Sequence, residues 1–513
     1  MFITKLMKIP NLAVSLAPHL EIITKDNQYK LRFSGTENLL DADADITKLL
    51  LKIKQEEVIS LIALREYISH LSDASGMILL LHRYITWSSI NLHIVNDDTQ
   101  ILLTIEPVGA ENNLIDIVPL VEDKLILSRF VSLNREDDKV ILSRTLEDSR
   151  LVIKDPRLDK LLFALFSGTS VAQLLTQYEP NMQTGVKLIM QVLLAQNYLI
   201  KLADGIPNRL EEGTQVDTQW DLNDIKFHTS SRFGYHFGQF GGGFPFVNLI
   251  EPRPAVRDLP DGKRIDLYTP DIKKLAQTDA PLTQIQMQRL SVRGYNEDKP
   301  INLKQIGEFL YRTARVLYET ESEVVNVNDD TQKTNMSFAW RPYPTGGASY
   351  ELEIYLTIDR AADLEPGMYY YAPRTHQLIQ VSEKSVHTDT LIDFAHTSCA
   401  KIVKPQVLVH IAARFQRVSW KYHAIAYATM LRNTGVLYQT FYLNAIAMGI
   451  APCGLGSGHL KAFAAASGND PLVEGNIGEF MLGSLPENFD FSILDHDSVA
   501  KIHGAIAAGT SGE

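Results

Sequence analysis

The chain has 513 residues, 45% hydrophobic and 21% charged, with 49 Lys and Arg against 61 Asp and Glu and a formal net charge of −12. That length leaves room for roughly two to four domains, and the acidic balance argues against a broad nucleic-acid surface, which needs clustered Lys and Arg. Two cysteines, Cys399 and Cys453, cannot build a disulfide framework or a zinc site, so a reducing cytoplasm is the simpler setting.

The chain begins "MFITKLMKIPNLAVSLAPHLEII", where Pro10 and Pro18 interrupt the apolar run, so a signal peptide is not expected. No window approaches the roughly 18 apolar residues of a membrane span. Helical patterns run from Glu56 to His70 and from Met77 to Tyr84, and two strand-like runs around "NDD" read as a hairpin. From 109 to 202 the theme repeats. Leu158 to Phe166 reads as a helix, "SGTS" as turn and cap, Val171 to Tyr178 and Thr184 to Asn197 as further helices, and "YLIKL" as a strand. Short helices closed by a small β-wing predict two winged-helix-like units, 1–108 and 109–202. The segment Gln183 to Asn197 carries only Lys187 among basic residues, so DNA reading is not expected of it. A structural or dimerising appendage and a peptide-binding module that pairs an added strand with its sheet edge both stay open.

Residues 203–220 are polar and aperiodic and read as a linker. The rest, 221–513, reads as one larger α+β domain. In "INLKQIGEFLYRTARVLYE", Ile301, Ile306, Phe309, Leu310 and Val316 share one side of a helix, while "ELEIYLTI" and "KPQVLVHIAARF" read as strands. Ser419 to Met448 predicts a long helix that stops at Gly449 and Pro452. Apolar residues lie on nearly every side of it, placing it at the centre of the core or of a subunit interface. Its start holds a cation and a phenol side by side, Lys421 and Tyr422.

Three constellations bear on chemistry. Arg289, Ser291 and Arg293 in "RLSVRGY" alternate, so an extended backbone points all three one way, two guanidiniums flanking a hydroxyl as a phosphate receptor needs. A solvated charged face gives the same pattern. Pro344, Thr345, Gly346 and Gly347 form a tight loop before a strand, open to a flat ligand or simply a turn. The loop "APCGLGSGH" lacks the ending of a phosphate loop, and "GQFGGGFPF" at 238–246 reads as a mobile flap or connection with no chemistry of its own. No HExxH, GxSxG or Cys/His metal spacing occurs, and His228, His396 and His459 read as structural. The residues alone point to a phosphate-bearing cofactor held by an α+β domain.

Taken in order, "FHTSSRFG", "RLSVRGY", "PTGGASYELEIYL", "LEPGMYYYAP" and "WKYHAIAYATMLRNTGVLYQTFYLNAIAMGIAPCGLG" resemble the nitroreductase-like flavoproteins, in particular their SagB/azoline-oxidase branch. The likeness covers about 220–490. The N-terminal units resemble the precursor-peptide recognition modules of ribosomal-peptide tailoring enzymes, and the combination is most similar to the cyanobactin thiazoline oxidases. The resemblance implies an antiparallel-rich sheet flanked by helices, with FMN at a homodimer interface built on the long central helix. It places Arg289, Ser291 and Arg293 at the phosphate and ribityl chain, and Pro344, Thr345, Gly346 and Gly347, from the partner subunit, at the isoalloxazine. A backbone N–H of Cys453 or Gly454 falls near flavin N5, with Gln439, Leu455 and Gly456 also in the cofactor set. Many nitroreductases carry a late Lys/Arg pair for the phosphate; after Lys461 this chain has only Lys501.

The same resemblance makes Lys421 and Tyr422 the catalytic pair of an oxidase that turns thiazolines or oxazolines of a precursor peptide into azoles, with dioxygen as final acceptor and a cyclodehydratase as a possible partner. An ordinary tyrosine, with pKa about 10, is a poor base near neutrality. A neighbouring ammonium lowers that value and burial depresses the lysine, which assigns proton transfer to Tyr422 and tuning to Lys421. Tyr422 as a core residue with Lys421 reaching to water is the structural alternative. A nitroreductase using a nicotinamide donor and a non-catalytic peptide-docking scaffold remain as other readings. Rapid flavin reduction by NADPH marks the first, and a colourless protein that binds peptide marks the second.

Overall fold

The computed structural model describes residues 2–17, 20–25, 28–33, 39–41, 44–86, 89–107, 118–120, 122, 124–145, 147, 149–202, 215–233, 240–487 and 489. Two compact units divide the chain, Met1–Gln239 and Phe240–Glu513.

In the first unit, short alternating strands pair antiparallel into a seven-stranded sheet. Its order is Ile59–Ser60, Leu12–Leu16, Ile90–Val95, Ile101–Pro107, Ser149–Ile153, Lys139–Arg144, Val131–Glu136. The hairpin expected around "NDD" is present, with Leu92 opposite Ile105. Ile101–Pro107 also pairs with Ser149–Ile153. Residues 1–108 and 109–202, expected as separate units, therefore share one sheet. That pairing is long-range, and nothing in a local hydrophobic period reports it. The helices of the second stretch fall within a few residues of expectation, at Asp159–Ser167, Val171–Leu175 and Pro180–Ala195. The Ser170 hydroxyl accepts from the Gln173 N–H to start the second, and Pro180 opens the third, where no N–H is missed. Of the expected linker, 203–214 lie outside the described residues. Gln215–Gln219 and Leu222–Ser230 are helices of this unit, which extends to 239 and not to 220.

The second unit is an antiparallel sheet between two layers of helices. Its strand order is Lys263–Asp266, Gln377–Glu383, Gly367–Ala372, Leu352–Ile358, Val407–Arg414, Glu474–Ser484, Ile450–Leu455. Leu352–Ile358 and Val407–Arg414 are buried along their whole length, so both faces of the sheet are covered. Leu352, Ile354 and Leu356 pack with Ile306, Phe309, Leu437 and Phe441 on one face. Tyr355, Leu408 and Ala412 pack with Leu391, Ala395 and Phe463 on the other. The period of two along each strand produces this division. A capping box between Asn302 and Gln305 starts the helix Leu303–Ala314. The central helix runs Ala426–Ala447 and stops at Gly449, whose φ of 65° is the left-handed turn that favours glycine.

Among the described residues no helix is long and apolar enough to cross a membrane. Glu353 is fully buried. Its carboxylate forms an ion pair with the Arg414 guanidinium at 2.9 Å and accepts from the Tyr370 hydroxyl at 2.9 Å, and Arg341 lies at 4.0 Å. Glu353→Leu leaves two buried guanidiniums without that counter-charge. The expected cost is about 3–5 kcal/mol, read as a lowered denaturant midpoint for the transition of this unit.

Candidate active site

The expected helix from Ser419 is broken. Phe415–Ser419 forms one helical turn, Tyr422–His423 is a short strand paired with Gly241–Gly242, and Ala424 turns with φ 60° before the central helix begins. Lys421 and Tyr422 thus stand ahead of the helix and not in its first turn. The cause is long-range: the Lys421 carbonyl accepts the N–H groups of Gly243 and Phe244 at 3.0 and 3.2 Å, and the Trp420 indole N–H donates to the Ile250 carbonyl at 2.7 Å. The flap expected to be mobile is tied to the pair, although Gly238 and Gln239 lie outside the described residues.

An extended backbone sends adjacent side chains apart, yet these two meet at one point. A Cβ built on Gly347 would lie 2.3 Å from the Lys421 Nζ and 2.3 Å from the Tyr422 hydroxyl. Lys421 donates to the Gly347 carbonyl at 3.1 Å. Gly347, Ala348 and Tyr350 all have positive φ, 59°, 51° and 45°, a conformation non-glycine residues adopt only under constraint. The constraint is visible. Tyr350 N–H donates to the Thr345 hydroxyl at 3.1 Å, Gly346 N–H to the Asn433 Oδ1 at 3.0 Å, and buried Arg417 to the Ser349 carbonyl at 3.0 Å. Pro344 and Gly347 are exposed, so the meeting point opens to the surface.

Burial, with the like charge of Arg417 second, pushes the Lys421 ammonium below its ordinary range. Burial, with the Glu351 carboxylate second, pushes the Tyr422 phenol up. The expected lowering of the tyrosine by its neighbour does not occur; desolvation outweighs it. Glu351 is itself fully buried, its carboxyl pushed up by burial despite the 2.8 Å hydrogen bond from Asn433.

A second cluster forms around Tyr442, farther along the central helix. The Ser291 and Tyr442 hydroxyls are 2.7 Å apart, the Gly454 N–H donates to Tyr442 at 2.8 Å, and the Arg289 guanidinium lies 5.3 Å from the Tyr442 ring centre. Val292 is buried, its N–H on the Pro452 carbonyl at 2.8 Å, so the flanking residues face the other way, as alternation predicts. Burial raises the Cys453 thiol although Arg293 opposes it, which keeps Cys453 a thiol and not a nucleophile. The Gly454 N–H, expected at flavin N5, is taken by Tyr442. Among the described residues neither Arg289 nor Arg293 meets a carboxylate. Two guanidiniums beside a hydroxyl fit a phosphate.

Gln439 is exposed on the outer side of the helix, and Leu455 and Gly456 line a cleft of 370 Å³ with Gly435, Tyr438 and Glu479. The structure does not gather all the expected residues in one place. Asn433, under the Gly347 loop, and Tyr442 are nine residues apart, about 13 Å at 1.5 Å per residue. Asn433, Glu351, Tyr442 and Glu479 had no sequence signal, because no fixed spacing sets them apart from the other polar residues of their segments.

Glu351 yields a pH test. A carboxyl whose folded pKa is raised contributes stability that is complete below its unfolded value, about 4.3, and is lost as pH rises through the folded value. Measured against Glu351→Gln, the wild type is therefore expected to lose relative stability as pH climbs above about 4.3. Equal pH dependence of the two melting curves would contradict this account.

Residues 125–237 match the family model "Cyanobactin oxidase ThcOx", and residues 287–475 match the nitroreductase family. MJ1384 of Methanocaldococcus jannaschii, assigned to the nitroreductases, is 25% identical over 197 residues, 38% of this chain and 86% of its own length. A nitroreductase-type crystal structure from Anabaena variabilis overlaps at TM-score 0.33 and 19% identity, covering 54% of this chain; the chain spans about half of that structure, 53%. The E. coli microcin synthetase McbBCD complex with truncated pro-MccB17 bound overlaps at TM-score 0.31 and 20% identity, over 39% of this chain and 70% of that one. The chain carries a nitroreductase-family domain, an oxidoreductase scaffold, behind a segment of the cyanobactin oxidase family.

Proposed function

We propose that this chain is an FMN-dependent azoline oxidase that converts thiazolines or oxazolines in a ribosomally made precursor peptide to azoles. The observation that carries the reading is the convergence of the Lys421 Nζ and Tyr422 hydroxyl on an exposed Gly347 within a nitroreductase-type unit. The cyanobactin oxidase segment ahead of it supports a peptide substrate, with the N-terminal unit as its docking module and a cyclodehydratase as upstream partner. The proposed final acceptor is dioxygen and the proposed setting the cytoplasm.

Arg289, Ser291 and Arg293 would hold the phosphate of FMN, and the loop Pro344–Gly347 would line its ring system. When bound, FMN supplies a two-electron hydride acceptor. The protein's own task is the proton. Lys421, with its ammonium disfavoured by burial and by Arg417, is the better base and takes the proton from the azoline ring carbon. Tyr422, held as a neutral phenol, donates a hydrogen bond to a ring heteroatom and orients it. This reverses the division of labour expected from sequence. Within one chain the Gly347 and Tyr442 clusters sit at different levels of the central helix, whose outer face exposes Tyr427, Leu431 and Val436 around an open Gly435. We infer a homodimer in which this face meets a second copy.

Purified protein is expected to be yellow with near-stoichiometric flavin, and to remove two hydrogens from a thiazoline-bearing peptide by mass spectrometry. A colourless protein, or no mass loss, would sink the reading. Lys421→Met is expected to lower azole formation by about 10²–10⁴ with flavin retained, and Tyr422→Phe to lower it less. The rate should rise with pH through a limb below the ordinary lysine value of about 10.4, since the base must be deprotonated, and Lys421→Met should abolish that limb.

A further inference from the structure

The flap "GQFGGGFPF" has no role in the function proposed above, yet it lies directly on the Lys421–Tyr422 strand. A Cβ on Gly242 would come 3.3 Å from the Tyr422 ring, and one on Gly243 would come 3.4 Å from the His423 ring. The glycine ribbon passes close against both rings. The Gly243 carbonyl accepts the Val327 N–H at 3.1 Å, so the tip of the Tyr318–Asn326/Asp329–Trp340 hairpin holds the ribbon from its other edge. Beneath it Val247, Val324, Met336 and Trp420 form a small core of their own, with Phe244 packed against it.

Phe244 ends the ribbon in a conformation that bulky residues rarely adopt, φ 52°. Its ring packs edge-on to Trp420, 6.0 Å between centres at 70°. The Lys421 Nζ lies 5.4 Å from the Phe244 ring centre and 5.2 Å from that of Tyr422, while donating to the Gly347 carbonyl. Two ring faces and one carbonyl therefore surround the ammonium. The charged and titratable groups facing it are Arg417 from the preceding turn and the Tyr422 phenol, with the Glu351 carboxyl behind the phenol.

We propose that Phe244 is a positioning residue: its ring, presented by the Gly241–Gly243 ribbon, holds the Lys421 ammonium over Gly347 and beside Tyr422. The ring's negative face attracts the cation and opposes the burial and the Arg417 charge that would neutralise it. Lys421 is thereby kept on the side of the loop where a substrate can reach it. The catalytic consequence rests on the reading of Lys421 as the base, whereas the ring–cation contact does not.

The test follows acylation of Lys421 in the full-length protein against pH, read by peptide mass spectrometry. It needs no turnover, flavin or substrate, so its failure is distinct from failure of the oxidase reading. Phe244→Leu is expected to shift the half-labelling pH of Lys421 down by about half a unit or more, and Phe244→Tyr to leave it in place. Replacing Phe244 with phenylalanines of increasing fluorination keeps the shape and drains the ring face, so the half-labelling pH should fall stepwise. A flat fluorination series, or an upward shift in a Phe244→Leu protein that circular dichroism shows to be folded, overturns the proposal. An unfolded Phe244→Leu protein would label as an ordinary lysine, an upward shift, and the fluorinated series then decides.

Discussion

The approach of the Lys421 Nζ to the Gly347 carbonyl, 3.1 Å, is the constraint on which the candidate site depends. It demands a residue without a Cβ at 347, because any side chain there would occupy the space of the Nζ and of the Tyr422 hydroxyl together. It also demands that the loop turn its carbonyl outward, which brings Ala348 and Tyr350 into left-handed backbone. Such conformations cost of order 1–3 kcal/mol each. They persist because Thr345, Asn433 and Arg417 each take a backbone group of the same loop. The strain sits where two functional groups converge, and the hydrogen bonds that maintain it come from the loop's own Thr345, from the central helix and from the turn just before the pair.

Electrostatics then assigns different tasks to two adjacent side chains. Desolvation acts on both in the same sense, against charge: it lowers the lysine and raises the tyrosine. An exposed Lys–Tyr pair would exchange influence chiefly through the ammonium, which is the reasoning that sequence alone invites. In the folded chain the Arg417 charge acts on the lysine and the Glu351 carboxyl on the tyrosine, each in the same direction as desolvation. Both shifts run toward the neutral forms, amine and phenol.

How much of this was legible in the sequence follows the range of the interaction. The helix Leu303–Ala314 and the end of the central helix at Gly449 were readable, since amphipathic period and a Gly–Pro stop are local. Arg289, Ser291 and Arg293 were readable as an alternating set, and Val292 between them is buried. The start of the central helix was not readable. Residues 419–425 have helical composition, and only their pairing with glycines far upstream makes them a turn and a strand. The sheet that joins both sides of residue 108 escaped for the same reason. Tyr442 and Asn433 escaped for another: within an apolar helix, a phenol or an amide that organises two loops has no distinguishing spacing.

The central helix is what relates the two clusters. Asn433 fixes the Gly347 loop and Tyr442 fixes the Ser291 and Gly454 segments. The separation of those loops is thus set by helical rise and cannot be closed by side-chain rotation. Between them, on the outer face, the helix places Gly435 with nothing within 4 Å of where its Cβ would be. A glycine in a helix interior is unfavourable by about 1 kcal/mol relative to alanine, and among the described residues no neighbour requires it. Under the proposed homodimer, a close approach by the partner would require it. The exposed Leu431 and Val436 beside it make an apolar approach the favourable one. Under the proposed homodimer, one feature answers both points: the partner's helix covers the apolar strip, and its loops complete a site whose halves one chain keeps about 13 Å apart.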